Sequence, residues 1–288
     1  MLLYYARLAL RGAPENDGLM TLDLASIDAV ALDMDGVLWR SSQVLPGIPN
    51  FFDFLQQHGI AFAFATNNSM TSVTAYVERL RAVGIPARPE QVVTSAVATA
   101  DYISRRYPAS TPLYIIGDDG IRSALAERGF REDPPNAQVV VVGLDFAATF
   151  DKFRLATLRI RAGADFIGTN GDRTFPTPEG LVPGNGALLA LLETATDVAP
   201  LVIGKPERVM FDVALERLGT APERTLMIGD RIETDVVGAQ RAGWRAALVL
   251  TGVTTTEQAI ADGRTDAVFA TLETLRAAWE EALGQKTR

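Results

Sequence analysis

Cysteine is absent from this 288-residue chain, and histidine occurs once, at position 58. Without cysteine there is no disulfide, no thiolate metal site and no cysteine nucleophile. The absence agrees with a reducing cytoplasm. His58 falls in the last turn of an expected helix, where a cation favours the helix dipole, so it reads as structural rather than catalytic. Although 48% of residues are hydrophobic, no uninterrupted apolar run approaches the roughly 20 residues of a membrane helix. Basic clusters are missing as well. With a net charge of −8, the chain is a poor candidate for nucleic acid, which binds through phosphate neutralisation.

The length suffices for one large domain or two ordinary ones with proper cores. Residues 1–11 are rich in apolar side chains but have no basic segment ahead of them and no clear cleavage site. Residues 1–24 therefore read as a loosely ordered extension, with Met20 as an alternative start, rather than as a secretory signal.

The stretch around which the chain is organised is Asp28-Ala-Val-Ala-Leu-Asp-Met-Asp-Gly-Val-Leu-Trp39. Val30 and Leu32 belong to a short apolar run of the kind that forms a buried strand. It stops at Asp33-Met34-Asp35-Gly36. In an extended strand Asp33 and Asp35 point the same way, and two carboxylates so close favour a cation between them or a shared proton. Gly36 lets the backbone turn out of the strand. In parallel α/β proteins ligands bind at the carboxyl ends of strands, so the pattern predicts a metal-assisted nucleophile site; taken alone, it is equally an ordinary Asp/Gly turn.

Apolar runs alternate with helical patterns from end to end. Helices are expected over 48–57, 71–83, 94–107, 121–128, 150–161, 186–195, 207–218, 234–242 and 272–282. Strands are expected over 60–65, 113–116, 138–142, 165–168, 201–203, 225–228 and 246–250, with a weak one near Val268. A loop is expected around Asn170-Gly171-Asp172 and Pro176-Thr177-Pro178. Such alternation predicts an α/β fold with a doubly wound, mainly parallel sheet.

Three further polar clusters end expected strands. Thr66-Asn67-Asn68-Ser69 offers a hydroxyl and backbone N–H groups suited to a phosphate oxygen, or alternatively a helix cap. Gly204-Lys205-Pro206 supplies one lysine. Gly229-Asp230-Arg231 with Thr234-Asp235 supplies two more carboxylates. Phosphoryl transfer needs a nucleophile, a divalent cation, a cradle of hydroxyl or amide groups and a positive charge, and the four clusters provide those parts together.

This set resembles the haloacid dehalogenase (HAD) superfamily of phosphatases over nearly the whole chain from about residue 25. Asp33-Met-Asp35-Gly36-Val37 matches its first motif, Thr66 the second, Lys205 the third, and Gly229-Asp230 with Asp235 the fourth. Thr66-Asn-Asn-Ser69, Pro183-Gly-Asn-Gly186, Ile203-Gly-Lys-Pro206 and Thr251-Gly-Val-Thr254 are similar to the branch of NagD, p-nitrophenylphosphatase, pyridoxal phosphatase and phosphoglycolate phosphatase. The resemblance implies a HAD-like Rossmannoid core over 25–98 and 200–288, with an inserted α/β cap of the C2 type over 99–199 that sets substrate choice.

It further implies that Asp33 attacks phosphorus and carries an aspartyl-phosphate, while Asp35 serves as acid and then base. Magnesium would be held by Asp33, the backbone carbonyl of Asp35, and Asp230, with Asp235 orienting from behind. Lys205 would offset negative charge. Thr66 would bind phosphoryl oxygens beside the amides of Asn67 and Asn68, with Asn68 and Ser69 as less direct contacts. In the cap, Asp172 and Phe175 lie in the candidate leaving-group loop. Some relatives that act on pyridoxal phosphate carry a histidine near the position of Phe175, so its absence argues against a dedicated pyridoxal phosphatase. Arg40-Ser41-Ser42 replaces a glycine usual shortly after the aromatic at position 39, implying a different flap conformation. The expectation is a cytoplasmic Mg2+-dependent phosphatase of a small phosphorylated metabolite, without nucleic-acid or membrane partners. Members of the branch often form a homodimer through the cap, for which this sequence gives no independent support. The alternatives are a specialised phosphoglycolate, sugar-phosphate or nucleoside monophosphate phosphatase, transfer to an acceptor other than water, or a non-catalytic binding protein with the same fold.

Overall fold

Four consecutive apolar residues, Ala29–Leu32, are fully buried and form the first strand of a computed structural model that describes residues 22–286. Most of the expected N-terminal extension, up to residue 21, lies outside the described residues. In chain order the strands are β1 (Ala29–Leu32), β2 (Trp39–Arg40), β3 (Gln43–Val44), β4 (Ala61–Thr66), β5 (Val92–Thr94), β6 (Leu113–Ile116), β7 (Val139–Val142), β8 (Asp165–Gly168), β9 (Thr174–Thr177), β10 (Gly180–Pro183), β11 (Leu201–Val202), β12 (Thr225–Gly229), β13 (Arg245–Val249) and β14 (Ala267–Phe269).

The chain divides into two compact units. In the first, which holds 22–65, 79–91 and 214–286 of the described residues, β1 pairs in parallel with β4 on one side and β12 on the other. β12 continues to β13 and β13 to β14, again in parallel. The chain thus leaves β1 first toward β4 and much later returns on the opposite side, which makes the carboxyl end of β1 a topological switch point. The helix Ile48–Gln57 buries Phe51, Phe52, Phe54 and Leu55 at helical spacing. Phe52 meets Phe62 of β4 edge-on with centroids 5.0 Å apart, and Phe54 meets Trp279 of the helix Leu272–Lys286 at 5.7 Å. His58 ends the first of these helices, its Nδ1–H donating to the Phe54 carbonyl at 2.9 Å, a structural role as expected.

The second unit comprises 66–78 and 92–213. Its sheet is wholly parallel in the order β11-β8-β7-β6. All four valines of β7 are buried, as strands covered on both faces require. The helices Phe150–Arg161 and Asn185–Thr196 add Ala156, Ile160, Leu189 and Leu192 to one apolar cluster with Val140, Val142 and Phe166.

The α/β class and parallel sheets agree with the sequence reading, with two local differences. The segment expected as a loop contains an antiparallel hairpin of β9 and β10, with Pro176 opposite Leu181. A two-stranded ribbon leaves one side of each strand unbonded, so a proline costs it little. The helix expected over 234–242 begins instead as a π-helical turn, Ile232–Val236, before the α-helix Val237–Ala242; such turns often mark functional positions. The strand expected over 201–203 is present as Leu201–Val202 and pairs with β8.

Candidate active site

Asp33 and Asp230 each follow neighbouring parallel strands. The Asp33 amide donates to Ile228 O at 2.9 Å, continuing the β1–β12 ladder one residue past β1. Adjacent strands lie about 4.8 Å apart, so the two carboxylates converge by topology although they are far apart in the sequence. The π-helical turn adds a third. Asp33, Asp230 and Asp235 each present a carboxylate oxygen, all within 4.8 Å of one another; Asp33 is half-buried and the others are buried.

Backbone amides shape this cluster. Val253 N–H donates to Asp230 Oδ2 at 2.7 Å, and Arg231 N–H to Asp235 Oδ2 at 3.1 Å. Glycines make the approach feasible, because a Cβ on Gly252 or Gly36 would collide with the Asp230 carboxylate, and one on Gly229 with Asp235. Three like charges so close repel, and a cation among them offsets that repulsion. The donors are hard oxygens, with no sulfur or imidazole among the three, so the set fits a divalent cation of the magnesium, calcium or manganese type. Asp235, read from sequence as an orienter behind the metal ligands, contributes an oxygen to the cluster itself.

Asp35 is exposed, and its backbone forms an isolated bridge with Trp39. Gly36, at φ 85°, turns the chain between them and donates to Trp39 O at 2.7 Å. Thr251 Oγ1 donates to Gly36 O at 2.6 Å, and the Arg40 guanidinium donates to Thr251 O. Arg40 ends β2, and Ser41-Ser42 form the tight connection to β3, with Ser41 at φ 53° and its carbonyl held by Arg79.

The second unit holds another polar group. Thr66 ends β4 at 3% exposure, its hydroxyl accepting from Asn68 N–H at 3.2 Å. Asn68 Oδ1 accepts from Met70 N–H at 2.8 Å and Thr71 N–H at 3.0 Å, so that side chain caps the turn. Asn67 connects to two distant segments. Its Oδ1 accepts from Lys205 N–H at 2.8 Å, and its Nδ2 donates to Lys205 O at 2.9 Å and to Asp172 Oδ1 at 3.1 Å. Lys205 is 3% exposed. Ser69 Oγ accepts from the buried Thr169 hydroxyl at 3.1 Å, and Asn170 Nδ2 donates to Asn67 O at 2.8 Å. Phe175 lies on β9, where its ring meets Phe146 edge-on at 5.6 Å.

Residues 30–131 match the family described as haloacid dehalogenase-like hydrolase, and residues 202–275 match the HAD-hydrolase-like family. The 5'-nucleotidase YutF of Bacillus subtilis is 40% identical over 226 residues, which is 78% of this chain and 88% of that protein. This chain belongs to the haloacid dehalogenase-like hydrolases. The acid sugar phosphatase of Staphylococcus aureus (strain USA300) is likewise 40% identical, over 80% of this chain and 88% of its own. The crystal structure of 4-nitrophenylphosphatase from Thermotoga maritima superposes with a TM-score of 0.85 at 34% identity, covering 90% of this chain and 99% of that one. The resemblance to the p-nitrophenylphosphatase and NagD branch is borne out, and with it the reading as a hydrolase of phosphoric monoesters.

Within this haloacid dehalogenase-like hydrolase, the sequence reading missed two roles. Trp39 figures there only as the aromatic of a motif, and Asn67 only through its backbone amide. The Trp39 indole N–H donates to Asp35 Oδ1 at 2.9 Å, and neither this bond nor those of the Asn67 side chain has a local sequence signal, because the partner atoms are set by the turn at Gly36 in one case and by distant segments in the other. Among the described residues no helix is long and apolar enough to cross a membrane.

Proposed function

We propose that this chain hydrolyses small phosphomonoesters with Asp33 as nucleophile and Mg2+ as cofactor. The observation that carries the reading is the convergence of Asp33, Asp230 and Asp235 within 4.8 Å at the carboxyl ends of β1 and β12. A carboxylate oxygen of Asp33 bonds to phosphorus as the ester oxygen leaves, and Asp35 gives that oxygen its proton. Water then attacks the aspartyl-phosphate while Asp35 takes a proton back, releasing inorganic phosphate and restoring the Asp33 carboxylate and the Asp35 carboxylic acid. Thr66 and the amides of Asn67 and Asn68 bind phosphoryl oxygens, and Lys205 offsets their charge. Magnesium, held by Asp33, the Asp35 carbonyl and Asp230, would supply electrophilic stabilisation of the transferring phosphoryl group. The position of Asp235 in the same cluster supports adding it to the ligand set.

The proposed division is a core of 25–98 and 200–288 and a cap of 99–199 that selects the leaving group, with Asp172 and Phe175 as candidate contacts. The relatives point to a sugar phosphate or a nucleoside monophosphate as the substrate class. A cytoplasmic location without nucleic-acid or membrane partners, and a homodimer through the cap, belong to the same reading. The alternative of a non-catalytic binding protein is disfavoured by the presence of Asp33, Asp35, Lys205 and Asp230 together.

The test is phosphate release from p-nitrophenyl phosphate and from a panel of sugar phosphates and nucleoside monophosphates, with Mg2+, with EDTA, and with Asp33→Asn. Magnesium-dependent turnover that disappears in the variant is expected. No release from any ester by folded, metal-bound protein would leave the binding-protein reading in its place.

A further inference from the structure

We propose that Asn67 is a positioning residue whose side-chain amide locks Lys205 and Asp172 into one frame, coupling the phosphoryl-binding lysine to the leaving-group loop. This rests on the role given to Lys205 above. The amide uses every bonding direction of its nitrogen. One acceptor faces Lys205 N–H, and its two N–H donors face Lys205 O and Asp172 Oδ1. The orientation is fixed by chemistry, because a flipped amide would set its oxygen against two acceptors.

The grip on Lys205 is two-pronged. Holding both the N–H and the C=O of one residue fixes that stretch of backbone as a ladder partner would. Lys205 carries the charge, so an error in its Cα position is transmitted down a long side chain to the ammonium. The clasp also explains the glycine ahead of the lysine. A Cβ on Gly204 would stand 2.7 Å from Asn67 Oδ1 and 2.8 Å from Thr169 O, so any larger residue would force the amide away. Asn67 is itself anchored from behind, its carbonyl accepting from Ser95 Oγ at 2.6 Å and from Asn170 Nδ2 at 2.8 Å. Asn170 in turn accepts from Asp172 N–H at 3.1 Å through Oδ1. The loop bearing Asp172 and the loop bearing Lys205 therefore meet on a single side chain, and a leaving group that shifts Asp172 shifts the lysine with it.

The polarity of these bonds makes the proposal testable without changing side-chain shape. Asn67→Asp keeps an acceptor for Lys205 N–H but turns both donors into acceptors facing Lys205 O and Asp172. We expect kcat/KM to fall by about tenfold or more and the inhibition constant for inorganic phosphate to rise. Adding Asp172→Asn to that variant restores a donor–acceptor pair of reversed polarity, and about a threefold recovery in kcat/KM is expected. Asn67→Ala should lose activity with no recovery on adding Asp172→Asn. Lys205→Ala is measured alongside. An inactive Lys205→Ala with a wild-type-like Asn67→Asp would overturn the coupling alone. A fully active Lys205→Ala would overturn the site reading and the coupling with it. Activity lost in Asn67→Asp with no recovery in the double variant, tracked by a lowered melting temperature, would reduce Asn67 to a folding role and also overturn the proposal.

Discussion

The indole N–H of Trp39 donates to Asp35 Oδ1 at 2.9 Å, tying an exposed carboxylate to a ring with 0% exposure. The Arg79 guanidinium lies over that ring, 3.8 Å from its centroid, in cation–π geometry. The indole is thus clamped on one face while its N–H aims Asp35. In the proposed mechanism Asp35 gives and later takes back a proton, and a fixed orientation favours that transfer, which requires hydrogen-bond reach in the productive pose.

Trp39→Phe keeps most of the ring and removes the N–H. A hydrogen bond to a charged group contributes about 1.5–3 kcal/mol, so kcat should fall by about tenfold to a hundredfold if the bond matters fully in the transition state. The inhibition constant for inorganic phosphate should stay within about twofold, because phosphate binding is assigned to other residues. Steady-state kinetics with phosphate as inhibitor separate the two. An unchanged kcat in folded protein would show that the aim of Asp35 does not depend on Trp39.

The three clustered carboxylates carry a stability prediction. A ligand that binds only the folded state stabilises by about 2.7 kcal/mol at a hundred times its dissociation constant. Mg2+ should therefore raise the melting temperature by a few degrees, and EDTA should reverse the shift. Asp235→Asn should reduce it if Asp235 donates an oxygen directly. Asp35→Asn, whose backbone carbonyl is unchanged, should retain the shift while losing most of its turnover. Calorimetry with and without metal reads the shifts and phosphate release reads the turnover; an equal loss of the shift in Asp35→Asn and Asp235→Asn would refute the division of roles.

Gly252 offers a test of the acidic cluster through a residue that has no side chain of its own. Its Cβ, if present, would collide with the Asp230 carboxylate, whose Oδ2 is held by the next residue's amide, Val253 N–H, at 2.7 Å. Gly252→Ala should therefore weaken metal affinity by about tenfold or more with a smaller effect on KM than on the metal requirement. Activity titrated against Mg2+ gives the result, and an unchanged metal dependence would mean that the loop yields without disturbing Asp230.

Many of the elements that carry the site are legible in the amino-acid order. The strand ending at Asp33 can be read because four adjacent apolar residues abut two acids and a glycine, a pattern with a single local cause. The helix at 94–107 is visible for the same kind of reason, and Thr94 caps Ser95–Arg106 by accepting from Val97 N–H at 3.1 Å. The hairpin of β9 and β10 is not, since Pro176 carries the same local turn signal as Pro178, which does sit in the turn, yet is placed in a strand by pairing opposite Leu181. Nor is the π-helical turn, because its extra residue per turn leaves no mark on apolar periodicity, yet it carries Asp235 to the acidic cluster.

The chemistry of the individual groups was determined by the sequence alone. Side-chain type and position after an apolar run name a carboxylate, a hydroxyl or an ammonium at a strand end, and those are local properties. Which carboxylates cluster, which ring hydrogen-bonds to Asp35 and which amide grips Lys205 were decided only by the tertiary structure. Each depends on atoms brought within about 3–5 Å by strand order and turn geometry, and distances between remote residues have no representation in a local pattern.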